Sequence, residues 1–413
     1  MANKIIKQNI PEGWQLKTLG DACHIVNGST PKRTVSEYWE NGDIPWFTVD
    51  DIRNDGRIIK KTSQKITERA LKETSVKLLP KDTVLLCCTA SVGEVALAKV
   101  PLTTNQQFNG LVTKNEKELF PNYLFYSAQN FGENLKRKAG KTTINFLSVG
   151  TLANEWLLIP PLKEQQKIAG ILETVDTYIE ETKAVIKATE KLKKGLMQEL
   201  FTRGIGHTKF KQTEIGEIPE SWKLEKLSDI AEVERGKFSH RPRNDPAFYG
   251  GDIPFIQTGD IVASHGRVNK FTQTLNQKGL SVSRLFKKGT IVMTIAANIG
   301  ETAILEFDSC FPDSLVGITP KSVNPVFLEY YLRTCKKYLD SIATQSAQKN
   351  INLEKLNPLL VVVPELKEQK QIAEILTSLD EKIKVNKKLL AKQTELKKGL
   401  MQDLLSGVKR VNI

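Results

Sequence analysis

The chain has 413 residues and carries 60 Lys and Arg against 47 Asp and Glu, a formal charge of +13. That length allows two or three domains, and a hydrophobic content of 40% suits a protein with sizeable buried cores. The basic balance favours a polyanionic partner, nucleic acid or an acidic membrane surface, while the lack of any apolar run of about 18 residues excludes a transmembrane helix.

At the start, residues 1–10 carry charge but no apolar centre, so no secretory signal is expected. Five cysteines follow along the chain, Cys23, Cys87, Cys88, Cys310 and Cys335, with no Cys-x-x-Cys spacing. An odd count with two adjacent members argues against a disulfide framework and for the reducing cytoplasm, with the thiols as small buried hydrophobes.

The elements then come twice. Ile10-Pro11-Glu12-Gly13-Trp14 returns as Ile218-Pro219-Glu220-Ser221-Trp222, Gly42-Asp43-Ile44-Pro45 as Gly251-Asp252-Ile253-Pro254, and Gly56-Arg57-Ile58 as Gly266-Arg267-Val268. Thr83-Val84-Leu85-Leu86 and Thr290-Ile291-Val292-Met293 read as buried strands, each followed by a Gly-Glu pair, Gly93-Glu94 and Gly300-Glu301. Pro121 to Tyr126 and Pro325 to Tyr331 read as short helices with proline in the first turn. Each half thus reads as a strand-rich α+β domain, and such self-similarity organises the whole chain.

Each half ends in a long helix. Pro161-Leu162-Lys163-Glu164-Gln165-Gln166-Lys167-Ile168-Ala169 recurs as Glu365-Leu366-Lys367-Glu368-Gln369-Lys370-Gln371-Ile372-Ala373, and Leu192-Lys193-Lys194-Gly195-Leu196-Met197-Gln198 as Leu396-Lys397-Lys398-Gly399-Leu400-Met401-Gln402. Ile168, Val175, Ile179, Thr182, Val185, Thr189, Leu192 and Leu196 recur at three- and four-residue steps, matched by Ile372, Leu379, Ile383, Asn386, Leu389, Gln393, Leu396 and Leu400. This heptad-like seam predicts two helices of roughly 57 Å that pair as a coiled coil. Polar Asn386 and Gln393 are expected to set register against Thr182 and Thr189. If the helices pair antiparallel, the C-terminus returns to the first domain and the repeat becomes pseudo-twofold. The expected domains are 1–160 and 204–364, with spacer helices at 161–203 and 365–413.

Catalytic signatures are missing. There is no G-x-x-x-x-G-K-[ST] loop, no H-E-x-x-H, no metal-ligand spacing among the four histidines and five cysteines, no G-x-S-x-G elbow and no Asn-Pro-Pro-Tyr or Asp-Pro-Pro-Tyr. The positive excess is spread over both halves and both helices, which suits a distributed polyanion surface better than one basic membrane helix.

With these motifs in place, the chain resembles the specificity subunits of type I restriction-modification systems. The resemblance rests on the two variable halves, each followed by a near-identical helix, and on Gly-Asp-Ile-Pro, the Gly-Glu pair, Lys-Glu-Gln and Lys-Lys-Gly-Leu-Met-Gln, and it covers essentially the whole chain. It implies two target-recognition domains separated by two long antiparallel helices, each domain reading half of a bipartite DNA site. It also implies docking of two methyltransferase subunits that bind S-adenosylmethionine, and of restriction/translocase subunits, with neither catalysis nor cofactor in this chain. Two half-sites about 34 Å apart suit two basic domains on a rigid rod. The competing classes are a self-sufficient nuclease or methyltransferase, disfavoured by the missing motifs, and a coiled-coil scaffold with two modules that bind no DNA, which salt-dependent duplex binding by the assembled complex separates.

Loop residues that differ between matching positions are the candidates for base contact. In the first half these are Asn27, Ser29, Thr30, Lys32 and Arg33 after the first strand, then Thr48, Asp51 and Arg53, Thr89 and Ser91, Gln106 and Gln107, and Lys141 and Thr142. In the second half they are Arg235, Lys237, Arg241 and Arg243, then Gln257, Thr258 and Asp260, Asn298, Asp313, and Gln348, Lys349 and Asn350. Arginine suits guanine, and asparagine or glutamine suits adenine. No metal site is expected.

Overall fold

The computed structural model describes residues 10–89, 91–139, 147–296, 298–343 and 350–412. The chain folds as two compact units, one formed by residues 1–183 with 388–413 and the other by residues 184–387.

The first half contains β1 (Gln15–Thr18), α1 (Leu19–Ala22), β2 (Cys23–Asn27), β3 (Ile44–Phe47), α2 (Val49–Asp55), β4 (Ile58–Ile59), β5 (Gln64–Ile66), α3 (Glu68–Glu73), β6 (Val84–Cys87), β7 (Val95–Ala98), β8 (Thr103–Thr104), β9 (Phe108–Thr113), α4 (Pro121–Ala139), α5 (Val149–Ala153), β10 (Trp156–Ile159) and the long α6 (Leu162–Leu200). The second half contains β11 (Phe210–Thr213), β12 (Gly216–Pro219), β13 (Lys223–Lys226), α7 (Leu227–Ile230), β14 (Ala231–Arg235), β15 (Tyr249–Phe255), α8 (Thr258–Ala263), β16 (Arg267–Val268), β17 (Gln273–Leu275), α9 (Gln277–Ser281), β18 (Leu285–Phe286), β19 (Ile291–Thr294), β20 (Thr302–Leu305), β21 (Ser309–Cys310) and β22 (Leu315–Pro320). It continues through α10 (Pro325–Thr334), α11 (Lys336–Ile342), α12 (Leu353–Leu356) and β23 (Leu360–Val363) to the long α13 (Leu366–Leu405).

The repeat extends to sheet topology. Five strands order as β2-β9-β6-β7-β4 in the first unit and as β14-β22-β19-β20-β16 in the second. In both, the last pairing is parallel and the others are antiparallel. A smaller sheet stands beside each, β5-β3-β8 or β17-β15-β21-β18, and an antiparallel pair, β1-β10 or β13-β23, closes each domain onto its helix. The hairpin β11-β12 precedes the core of the second half, and the matching stretch of the first half lies almost entirely outside the described residues. Strands β6 and β19 are buried at every position, as the continuous apolar runs predict. Tyr123, Leu124 and Phe125 of α4 share one core cluster with Val84, Leu86, Val95 and Leu97, so α4 covers one face of the main sheet. It runs further than the short helix expected from Pro121 to Tyr126.

The most faithfully repeated motif turns out to bolt each helix to its domain. Glu164 is fully buried and accepts from Trp14 Nε1 (3.1 Å) and from Arg410 Nε and Nη2 (2.6 and 2.8 Å). Its twin Glu368 accepts from Trp222 Nε1 (3.0 Å), the Ile205 amide (2.9 Å) and His207 Nε2 (2.9 Å). The neighbouring amides Gln165 and Gln369 donate to the Pro160 and Pro364 carbonyls and accept from the Phe120 and Asn324 amides. Buried polar groups demand partners, and that demand explains why Lys-Glu-Gln barely differs between the copies. The Arg410 contact also brings the C-terminal segment back to the first unit, as antiparallel pairing requires.

Within each unit one part of α6 runs antiparallel to one part of α13. Lys397 pairs with Asp176 (2.6 Å) and Arg410 with Glu164 in the first unit; Lys193 pairs with Asp380 (2.5 Å) and Lys387 with Glu190 (2.8 Å) in the second. The seam differs from the expected one. Val185, Leu192, Leu389 and Leu396 are 39%, 53%, 42% and 56% exposed, whereas Ile186 is buried and Lys193 and Lys397 are largely covered. Lysine reads as a surface residue in a sequence, yet here each seam lysine is drawn inward by an aspartate, which also accepts from the hydroxyl of Tyr330 or Tyr126, and lies over that tyrosine's ring. Burial pulls Lys193 below the usual lysine range despite its carboxylate neighbour. Nor do the polar seam residues lock register as expected. Thr182, Thr189 and Asn386 bond to carbonyls of their own helices, at Tyr178, Val185 and Lys382, and the ion pairs make the described cross-helix polar links.

Candidate nucleic-acid interface

In each unit, backbone hydrogen bonds join four loops that differ between the repeats and the chain that follows a fifth. In the first unit, the Gly28 amide donates to the Phe108 carbonyl and the Ser29 amide to Thr104, while the Asn105 amide donates to Phe47 at the end of β3. The Cys88 amide donates to Gln107, adding the Thr89–Ser91 turn, and the Leu147 amide donates to Cys88, bringing in the chain that emerges after Lys141 and Thr142. Those two residues lie outside the described ones. In the second unit, amides of Gly236, Lys237, Ile256, Ile295 and Ile351 donate to carbonyls of Leu315, Phe311, Cys310, Ser314 and Ile295. Asn350 bridges Ala296 in the same cluster, while Gln348 and Lys349 lie outside the described residues. The shared glycine of the first loop is required by close approach. A Cβ on Gly28 would lie 2.1 Å from the Asn105 carbonyl oxygen, and one on Gly236 would lie 2.3 Å from that of Pro312.

The expected base-contact residues divide into three groups on this frame. Thr48 and Asp51 form a capping box at the start of α2: Asp51 accepts from the Thr48 amide (2.8 Å) and the Ser63 amide (2.7 Å) and is fully buried. Full burial with both oxygens engaged removes Asp51 from the base-contact set, a correction that its position three residues after a threonine foreshadows. Asp260 plays the same part toward Gln257 (2.8 Å). Thr258, Thr89 and Ser91 are half-buried, whereas Asn27, Asn298 and Arg53 are exposed, Arg53 in a surface pair with Asp50.

A second group gathers around Asp313. Its carbonyl accepts from Arg235 Nε (2.7 Å), its carboxylate pairs with Arg243 (2.5 Å), and Arg241 stands 3.8 Å away. Arg241 also donates to the carbonyls of Phe238 and His240, and Lys237 is exposed. Beside them opens a cavity of about 640 Å3 with aromatic walls, Phe238, Tyr249 and Phe255, and a polar rim of Arg243, Gln257 and Gln273.

The third group lies in the first unit. Thr30 donates to Gln106 Oε1, Ser29 bonds Ser75, and Gln107 exchanges hydrogen bonds with Asn105. Arg33 lies over the Trp39 ring at 3.7 Å and beside Trp46 at 4.7 Å, with Lys32 exposed next to it.

A profile described as the type I restriction modification DNA specificity domain matches residues 11–190 and again residues 219–394. The chain belongs to this family. Among relatives, the MjaIX specificity subunit of Methanocaldococcus jannaschii is 30% identical, the match covering 97% of this chain and 95% of that protein. The MjaVIII specificity subunit of the same organism is 31% identical, with 97% and 94% covered. The crystal structure of a type I restriction-modification S subunit from M. genitalium shares the fold, with a TM-score of 0.60 at 17% identity over 96% of both chains.

In this specificity subunit the cysteines behave as expected of small hydrophobes. Four are buried and Cys335 is partly so, and burial pushes the Cys23 thiol up to about 12 and that of Cys88 up to about 11. Among the described residues no group of His, Cys, Asp and Glu is placed to hold a metal ion, and no described helix is long and apolar enough to cross a membrane. Comparison of loops missed Trp39, Trp46, Tyr249, Phe255 and Gln273. The first four lie in or before a strand and read as core; the available signal was that Pro45-Trp46 replaces Pro254-Phe255 at the same point of the repeat, an aromatic exchange beside the variable loops.

Proposed function

We propose that each unit of this specificity subunit reads one half of a bipartite site in double-stranded DNA, while α6 and α13 set the spacer and dock two methyltransferase subunits. One observation carries the reading: both units hold the same loops in the same backbone hydrogen-bond frame, yet the side chains on that frame differ position by position. A common frame supplies a common way of meeting the duplex backbone, and different side chains supply different bases. Bond-making and S-adenosylmethionine belong to the methyltransferase partners, cleavage to restriction/translocase subunits, and the assembly works in the cytoplasm. Methylation maps of cells with and without this gene, the methyltransferase present in both, test the reading. A bipartite methyladenine motif that vanishes with the gene is expected; a methylation pattern indifferent to the gene overturns it.

The outward apolar side chains support the docking role. Val185 and Leu192 on α6, and Leu389 and Leu396 on α13, are large, exposed and seven residues apart on each helix, the spacing at which another helix packs. Leu192→Lys combined with Leu396→Lys should weaken co-purification with the methyltransferase about a hundredfold while leaving the melting temperature of the chain nearly unchanged, because both side chains already face water. Retention at the wild-type level would place docking elsewhere.

A further inference from the structure

The loop arginines of the two units are held in opposite ways. Arg235, Arg241 and Arg243 spend their donors on Asp313 and on nearby carbonyls. Gln106, neutral, occupies the place of Asp313 in the first unit and bonds Thr30 instead. Among the described residues Arg33 has no carboxylate partner; its neighbours are two indole rings. Those rings are themselves fixed. Trp39 and Trp46 meet edge to face at 5.0 Å and 89°. Trp39 Nε1 donates to the Lys32 carbonyl and Trp46 Nε1 to the Ser29 carbonyl, both at 3.2 Å, so each end of the exposed loop is stapled by an indole. Trp46 is 2% exposed and anchors the staple in the core.

Stacking engages the face of a guanidinium and leaves its in-plane N–H donors free. A planar fork held in a fixed orientation with open donors matches the O6 and N7 acceptors that guanine presents in the major groove. A phosphate contact needs charge but no fixed plane, and flexible, exposed Lys32 next door can supply that. Resting on the function proposed above, we propose that the half-site read by the first unit contains a guanine held by Arg33, with Trp39 and Trp46 as positioning residues.

Methylation maps of cells expressing Arg33→Ala or Arg33→Lys with the partner methyltransferase test this. Lysine keeps the charge and much of the stem but cannot present the fork. In Arg33→Lys the second half-site and the spacer should stay unchanged, while one guanine of the other half-site admits other bases, its discrimination falling about ten- to a hundredfold. Arg33→Ala should relax the same position. A wild-type motif in both variants overturns the proposal. So does a uniform loss of methylation in Arg33→Ala with an intact motif in Arg33→Lys, the signature of a phosphate contact. Absence of any gene-dependent motif with native Arg33 overturns the proposed function, and this inference with it, and is told apart because it arises before any substitution.

Discussion

Trp222→Ala should lower the stability of the second unit by about 3–5 kcal/mol. The indole is 1% exposed and sits in one core cluster with Leu200, Phe201, Ile372 and Leu376, so truncation opens a cavity where α6, α13 and the domain share their apolar faces. It also takes one donor from Glu368, which keeps the Ile205 amide and His207. Trp222→Phe separates the two effects. It retains most of the apolar contact and loses the N–H, so about 1–2 kcal/mol should go. Trp14→Ala, against Glu164 and Arg410, is the matched experiment in the first unit. Denaturant midpoints of the four proteins check the set. A Trp222→Phe as damaging as Trp222→Ala would mean that the hydrogen bond, and not packing, dominates this junction.

Removal of one heptad from each long helix should change which DNA is recognised. Because Lys397 faces Asp176 and Lys193 faces Asp380, deletion of residues 183–189 is matched by deletion of 384–390, which keeps both of these ion pairs and the phase of the seam. Each helix shortens by about 10 Å, the length of about three base pairs. Methylation at the original spacer should fall at least about a hundredfold, and any motif that replaces it should carry a spacer about three base pairs shorter. Deletion from one helix alone puts Lys193 or Lys397 out of reach of its aspartate and should abolish complex assembly. An unchanged spacer in the double deletion would show that the helices do not set it.

The internal repeat, the two long helices and the placement of the variable loops were all legible in the sequence. They depend on patterns that survive in one dimension: repeated residues, three- and four-residue apolar spacing, and unbroken apolar strands such as 84–87 and 291–294. The seam was legible only in part. Hydrophobicity points to Leu192 and Leu396, but each lies one position from a lysine whose burial depends on an aspartate of the other helix, a partner distant in sequence. Asp51 reads as an open loop acid for a related reason, since the second amide that occupies its carboxylate is that of Ser63, beyond the local capping pattern.

By itself, the sequence determined the family, the repeat and the loops in which the two halves diverge, because each of these is written in residue identity and spacing. The tertiary structure decided which residues in those loops are free to meet a ligand. Arg33 and Arg243 are both loop arginines in a basic chain; only folding sets one on two indoles and the other on Asp313. An arginine's availability depends on what lies within a few ångströms of it: Arg33 meets two indoles from the chain just after it, while Arg243 meets an aspartate brought in across 70 residues.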